Sequence, residues 1–288
     1  MILIGDCLDS MKEMDADTVD SIVTDPPYGI SFLGWNWDKG VPAAVYWKEA
    51  LRVLKPEGYL LSFSGAKTHH LMATAIESGG FEVVGQKMWI YGQGFPKGVD
   101  IGRSLAKDGD HGLAAKWKGW SAALKPAHEP IVIAKNPQNK ESKTLEGLSD
   151  FFYCPKPSTA ERNLGCSKLK RKNMAGNDSL DFIRQKQTGF MTDSFYEEKL
   201  NYHPTVKPLS IMRHLVKAVT PSGGTVLDPF LGSGTTAMAA VLENLNYIGC
   251  ELTEEYLPII NARVAWAQAK SDRKLNGKVK WPLNEKGK

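Results

Sequence analysis

Short apolar runs alternate with stretches of helical period at both ends of this chain. Strands are predicted near Ile2 to Ile4, Val19 to Thr24, Tyr59 to Phe63, Glu82 to Tyr91, Pro130 to Ala134, Thr225 to Leu227 and Tyr247 to Cys250. Helices fit near Val45 to Leu54, Thr68 to Ser78, Leu209 to Val219, Thr235 to Glu243 and Glu254 to Ala269. In the helix that begins at Leu209, the apolar residues Met212, Leu215, Val216 and Val219 recur at steps of three and four, so one face is expected to be buried. Strands alternating with helices predict an α/β domain in which helices cover a parallel sheet.

The pattern fails in two places. From Asn136 to Tyr202 the chain is rich in Lys, Ser, Asn and Gly and shows no long periodic run, which reads as an insertion on the sheet. There, Phe151, Phe152 and Tyr153 are expected to pack a small core of the insertion's own. From Gly92 to Lys125 glycines and lysines surround Trp117 and Trp120, and the stretch reads as irregular. No internal repeat is visible.

Composition narrows the class. With 288 residues, 42% of them hydrophobic and 24% charged, the chain can bury a large core, which excludes disorder as its main state. No apolar run approaches the roughly 20 residues of a membrane span. The N-terminus lacks the basic and apolar regions of a secretory signal, so a cytoplasmic location is expected, with no membrane partner. Cys7, Cys154, Cys166 and Cys250 are scattered without CxxC spacing; they are expected to be reduced, mostly buried thiols, and no metal site is expected.

Charge is uneven. Residues 95–199 carry 18 Lys and Arg against 13 Asp and Glu, whereas the remainder carries 18 against 19. A polyanion would therefore meet the middle of the chain, where Lys168, Lys170, Arg171 and Lys172 are candidate phosphate contacts; a solvated charge run is the competing account. The basic stretch 271–288 reads as a frayed, soluble tail.

Chemistry concentrates in two strings. Asp25-Pro26-Pro27-Tyr28 follows a predicted strand, and ligands of open α/β sheets sit at the carboxyl ends of strands. An exocyclic amino group on a nucleobase offers two N–H donors, so its pocket needs acceptors without competing donors. Pro26 and Pro27 lack backbone N–H groups and hold their carbonyls rigidly, and Asp25 adds a carboxylate. Tyr28 offers a flat face for an extruded base, a stacking contact of ~1–3 kcal/mol. A Pro-Pro turn closing a strand is the structural alternative.

The second string, Asp228-Pro229-Phe230-Leu231-Gly232-Ser233-Gly234-Thr235-Thr236, joins a short strand to an Ala-rich helix. Its glycines permit a tight turn and close approach of a ligand, and the helix start offers unpaired N–H groups. A phosphate-binding P-loop is excluded because no Lys precedes Thr235. A dinucleotide fold remains compatible, since Ala237 fills the third glycine position of its pattern. Glu251, at the end of a later strand, suits the ribose hydroxyls of either nucleoside cofactor. Asp6, after the first strand, could meet a cofactor adenine or simply cap a helix.

Taken together the strings resemble the amino-methylating DNA methyltransferases of the permuted β class, whose catalytic half precedes the half that binds S-adenosylmethionine. Asp25 to Tyr28 match that family's [D/S/N]PP[Y/F] motif, Phe230 to Gly234 its FxGxG loop, and His203-Pro204-Thr205-Val206-Lys207-Pro208 its HPTxKP segment. The resemblance implies a Rossmann-like fold, with a mixed, mostly parallel seven-stranded sheet between helices and an irregular target-recognition insertion. It implies a catalytic half at 1–135, the insertion at 136–202, a cofactor half at 203–270 and the tail at 271–288.

It also implies roles. Asp25, Pro26, Pro27 and Tyr28 would hold the target amine; Asp6 the cofactor adenine; Asp228 the methionine amino end; Glu251 the ribose; Thr205 and Lys207 the methionine carboxylate; and Phe230, Gly232, Ser233, Gly234 and Thr235 the remainder of the cofactor. Within the family Asp at the first motif position goes with adenine N6 and Ser with cytosine N4, so N6-adenine methylation of a flipped base is expected. N4-cytosine methylation, then an enzyme acting on RNA, and an inactive DNA-binding module remain the alternatives. Trp35 and Trp37 could cover the flipped base or fill its vacated place. DNA is the expected partner, with a homodimer and a restriction endonuclease of the same system as further possibilities.

Overall fold

Successive residues of each central strand face opposite layers, as strand geometry requires. Val23, Leu61, Phe63, Ile131 and Val226 enter one core, and Ile22, Leu60, Val132, Ala134 and Leu227 enter the other. The computed structural model describes residues 1–31, 35–92, 100–120, 127–138, 149–172 and 199–275, with side chains described as far as residue 272. The rest of the basic tail, and residues 139–148 and 173–198 of the insertion, lie outside the described residues.

In chain order the strands are β1 (Ile2–Ile4), β2 (Val19–Thr24), β3 (Leu54–Phe63), β4 (Glu82–Ile90), β5 (His128–Lys135), β6 (Phe151–Tyr153), β7 (Thr225–Asp228) and β8 (Asn246–Glu251). The helices are α1 (Cys7–Lys12), α2 (Ala44–Val53), α3 (His69–Ser78), α4 (Ile101–Lys107), α5 (His111–Lys116), α6 (Thr159–Arg162), α7 (Leu209–Val219), α8 (Thr235–Leu242) and α9 (Leu257–Leu275). One sheet runs in the order β1-β8-β7-β2-β3-β5-β4-β6. Among the described strands only β5 runs against the others, antiparallel to both β3 and β4. Residues of α1, α2 and α3 pack into one core, and those of α7 and α8 into the other. A third cluster joins α8 and α9 through Ala237, Ile259 and Ile260 to Cys166, Tyr202, Leu231 and Tyr256.

All seven predicted strands form, and an eighth joins them. Phe151 to Tyr153 do not build a separate core; they pair in parallel with Met88 to Ile90 on the sheet edge. Phe152 packs on the sheet core and stacks on His214 at 4.8 Å, while Phe151 and Tyr153 are exposed. Three residues are too short a run to display a period, and the partner lies more than sixty positions away. The stretch read as irregular before β5 also holds α4 and α5. Asp100 and Asp110 cap them by accepting the N–H groups of Arg103 and Leu113 at 2.9 and 3.0 Å. All four cysteines are buried free thiols.

Candidate active site

The two strings leave neighbouring strands. β2 pairs with β7 in parallel, with Ser21 opposite Val226 and Ile22 opposite Leu227, so Asp25 and Asp228 emerge at the same sheet edge. Beyond the paired residues the strand ends are tied by Thr24 Oγ1, which donates to Asp228 Oδ1 at 2.6 Å. Burial pushes the Asp228 carboxyl up to about 6, although Thr236, Thr24 and the Phe230 N–H all donate to it. The group expected to take a cofactor's amino end thus also holds its own loop, with Thr236 Oγ1 on Oδ2 at 2.5 Å and the Phe230 N–H on Oδ1 at 3.1 Å.

The turn after β2 is fixed by a residue that sequence reading passed over. Asp38, fully buried, accepts the N–H groups of Tyr28 and Gly29 at 2.7 and 2.8 Å. Gly29 sits at φ +66°, where a Cβ would lie 2.8 Å from the Val41 nitrogen. Thr68 Oγ1 donates to the Tyr28 carbonyl at 2.5 Å. Pro26 is buried and Pro27 half-buried.

Asp25 lies in a cluster of charges. Its Oδ1 accepts from the Tyr28 hydroxyl at 2.9 Å and its Oδ2 from Lys207 Nζ at 2.5 Å. Glu129 joins them, 2.8 Å from the Tyr28 hydroxyl and 3.4 Å from Lys207 Nζ. Burial raises the Asp25 carboxyl above its ordinary value against the attraction of Lys207, and the nearby Glu129 charge raises it further. Burial works against the Lys207 charge, but Asp25 and Glu129 outweigh it and hold the ammonium above its ordinary value. Burial, then the two carboxylates, push the Tyr28 phenol far up, so it stays protonated. Lys207 Nζ also lies 5.2 Å from the Tyr28 ring centre and 5.1 Å from that of Phe63. Its ion-pair partners here are Asp25 and Glu129.

The glycine turn is shaped by left-handed backbone. Gly232 has φ +56° and Gly234 φ +78°; a Cβ would lie 3.0 Å from the His203 ring at the first and 3.0 Å from Ile260 at the second. Burial, reinforced by Arg162 and Arg263, lowers His203 to about 3, so the imidazole closing over Gly232 is neutral. The Gly232 N–H donates to Glu251 Oε2 at 2.7 Å, and the Thr253 N–H to Oε1 at 2.8 Å. Burial nevertheless lifts the Glu251 carboxyl to about 7. α8 starts at Gly234 without a side-chain cap. Behind the turn, buried Arg263 of α9 reaches the Ser233 carbonyl at 2.8 Å and Thr235 Oγ1 at 3.0 Å.

The remaining predicted residues sit around this edge or away from it. Asp6 caps α1 by accepting the Leu8 N–H at 2.8 Å, and also takes the Tyr46 hydroxyl at 3.2 Å. It follows β1, whose Ile4 is opposite Glu251, so the two acidic residues share adjacent strand ends. Phe230 packs against Tyr46 and Trp47 at 6.4 and 6.3 Å between ring centres. Thr205 is half-buried, its N–H donating to His203 Nδ1 at 3.3 Å. Trp35 and Trp37 meet edge to face at 5.3 Å in the segment that delivers Asp38, and Trp37 is exposed. Lys168, Lys170, Arg171 and Lys172 are exposed, and Lys172 Nζ lies over the Tyr202 ring at 5.2 Å.

Sequence reading missed Glu129, Asp38 and Arg263. Glu129 carried a signal: a carboxylate beside Pro130 at the start of an apolar run. Its meaning needed the direction of β5, because an antiparallel strand begins where its parallel neighbours end. Asp38 and Arg263 showed nothing distinctive in the chain.

The chain is similar to known proteins over most of its length. The family model for N6/N4 DNA methylases matches residues 19–262. The Type II methyltransferase M.HindIII of Haemophilus influenzae is 26% identical over 291 residues, spanning 86% of this chain and 89% of its own length. The DNA adenine methyltransferase YhdJ of Escherichia coli is 26% identical over 273 residues, spanning 89% and 79%. Among solved structures, the M1.HpyAVI–SAM complex aligns with a TM-score of 0.53 at 19% identity, over 92% of this chain and all of that one. The cytosine-N4-specific PvuII DNA methyltransferase aligns at 0.55 and 15% identity, over 96% and 92%. These structural likenesses establish a Rossmann-like methyltransferase fold. With the family match running from β2 into α9, across the sheet that sets the diproline and glycine turns side by side, the chain belongs to the N6/N4 DNA methylase family.

Proposed function

We propose that this methylase uses S-adenosylmethionine to methylate the exocyclic N6 amine of an adenine flipped out of duplex DNA. The Thr24–Asp228 hydrogen bond of 2.6 Å carries the reading, because it ties the amine-holding string to the glycine turn at one edge. The residues suit the cofactor chemically. Gly232 and Gly234 supply the left-handed backbone that forms the turn, the α8 start is uncapped, and the Glu251 carboxylate suits ribose hydroxyls. Asp6, Thr205, Asp228, Phe230, Ser233 and Thr235 complete the proposed cofactor set. When bound, the cofactor supplies an electrophilic methyl group on a sulfonium.

The chain's own part is to orient a poor nucleophile. Each Asp25 oxygen has a second lone pair beyond the one engaged by Tyr28 or Lys207, and the Pro26 and Pro27 carbonyls bring no competing N–H. Accepting both amine hydrogens leaves the nitrogen lone pair aimed outward. Asp25 or water then takes the proton the amine sheds. Asp25 at the first motif position, and likeness to an adenine methyltransferase, support adenine over cytosine. Residues 1–135 would supply the acceptor side, 203–270 the cofactor side and 136–202 target recognition, with Trp35, Trp37, Lys168, Lys170, Arg171 and Lys172 toward the DNA.

The test is to incubate the full chain with methyl-labelled S-adenosylmethionine and unmethylated mixed-sequence DNA, then digest to nucleosides. Label in N6-methyldeoxyadenosine is expected. Label in N4-methyldeoxycytidine would overturn the choice of base, and DNA binding without transfer would leave a binding module. Asp25→Ala should abolish transfer while leaving cofactor affinity within a few fold; a large loss of cofactor binding would contradict its placement on the acceptor side.

A further inference from the structure

β5 enters the sheet against its neighbours, so its first residues arrive at the edge where the parallel strands end. That places Glu129, 101 positions beyond Tyr28 in the chain, against the acceptor string. Its side chain is 14% exposed. Tyr28 Oη lies 2.8 Å from Oε2 and Lys207 Nζ 3.4 Å from the same oxygen. Tyr91 Oη lies 3.4 Å and Lys156 Nζ 3.5 Å from Oε1. Asp25 is the second carboxylate on both Tyr28 and Lys207.

The proton count makes this sharing consequential. A phenol has one hydrogen, for which two carboxylates contend here, whereas the buried ammonium has three and serves both. Without Glu129, the phenol hydrogen would turn wholly to Asp25 Oδ1, the group meant to accept from the target amine, and Lys207 would lose one of its two carboxylate partners. The Tyr28 ring would also lose a tether that sets the face offered to a base. We propose that Glu129 is a positioning residue for methyl transfer: it anchors the Tyr28 hydroxyl and shares the Lys207 ammonium, leaving Asp25 available to the amine. The inference rests on the methyltransferase reading above and adds to it a residue outside the motifs.

The test compares Glu129→Gln and Glu129→Asp with wild type in the full chain, using labelled S-adenosylmethionine and unmethylated mixed-sequence plasmid DNA. Single-turnover rate, affinity for cofactor and for DNA, melting temperature and the pH profile of the rate are measured. Glu129→Gln should slow transfer about 10–100-fold, the equivalent of one charge-assisted hydrogen bond, with both affinities within about threefold. Removing a like charge beside Asp25 should also move the acid limb of its profile to lower pH, which a purely structural role would not do. Glu129→Asp keeps the charge and should recover part of the rate.

A Glu129→Gln rate within about twofold of wild type would overturn the proposal. So would an unmoved acid limb, a loss matched by equal losses of affinity or melting temperature, or no recovery in Glu129→Asp. No transfer by the wild-type chain would instead overturn the methyltransferase reading, and this proposal with it.

Discussion

Gly232→Ala tests whether the glycine turn is shaped by the contacts that surround it. The backbone there has φ +56°, and a Cβ would stand 3.0 Å from both Cε1 and Nε2 of His203. The left-handed conformation costs an L-residue roughly 1–2 kcal/mol, and forcing a methyl group into a filled site adds roughly 1–3 kcal/mol. His203 has little room to yield. Its N–H donates to Asn201 Oδ1 at 3.1 Å, its carbonyl accepts from Arg162 at 2.6 Å, and its ring meets the Tyr256 ring at 4.5 Å. A loss of about 2–4 kcal/mol is expected, or about 5–15 °C in melting temperature for a domain of this size. Thermal and urea unfolding without cofactor measure it. Gly85→Ala, where a Cβ meets nothing within 4 Å, is the control and should stay within about 0.5 kcal/mol. In a His203→Ala background the cost of Gly232→Ala should fall to its backbone part, roughly 1–2 kcal/mol. A variant as stable as wild type, or an equal loss with and without His203, would refute the steric account.

Glu251 predicts a pH dependence. Its carboxyl is raised from 4.5 to about 7 by burial, so its stabilising contribution is full below about pH 4.5 and is lost as pH rises through 7. That loss is about 3 kcal/mol as an order of magnitude. Relative to Glu251→Gln, wild type should therefore lose stability between pH 4.5 and 7 in urea unfolding, and a flat difference would rule the shift out. The neutral His203 predicts a ring resonance that does not move between pH 8 and 5 in NMR; a transition centred near 6.5 would contradict its burial.

The periodicities were legible because they are local. Residues two apart share a sheet face and residues three or four apart share a helix face, whatever surrounds them. That sufficed for the seven strands, the five longer helices and the two strings, each recognisable from the chemistry of consecutive residues. Short elements escaped. β6 has three residues, and α4 and α5, with seven and six, are too brief for an amphipathic face to show.

The chain alone thus determined the α/β layering, the diproline turn and the glycine turn, since each depends on neighbours within a few positions. Tertiary structure decided what faces what across the site. Lys207 reaches Asp25 over 182 positions and Asp228 reaches Thr24 over 204, pairings no local pattern encodes. Glu129 entered the site because one strand runs backward, bringing its first residues to the edge where the others end. Strand order and direction are set by which faces can be buried together, and that is a property of the folded whole.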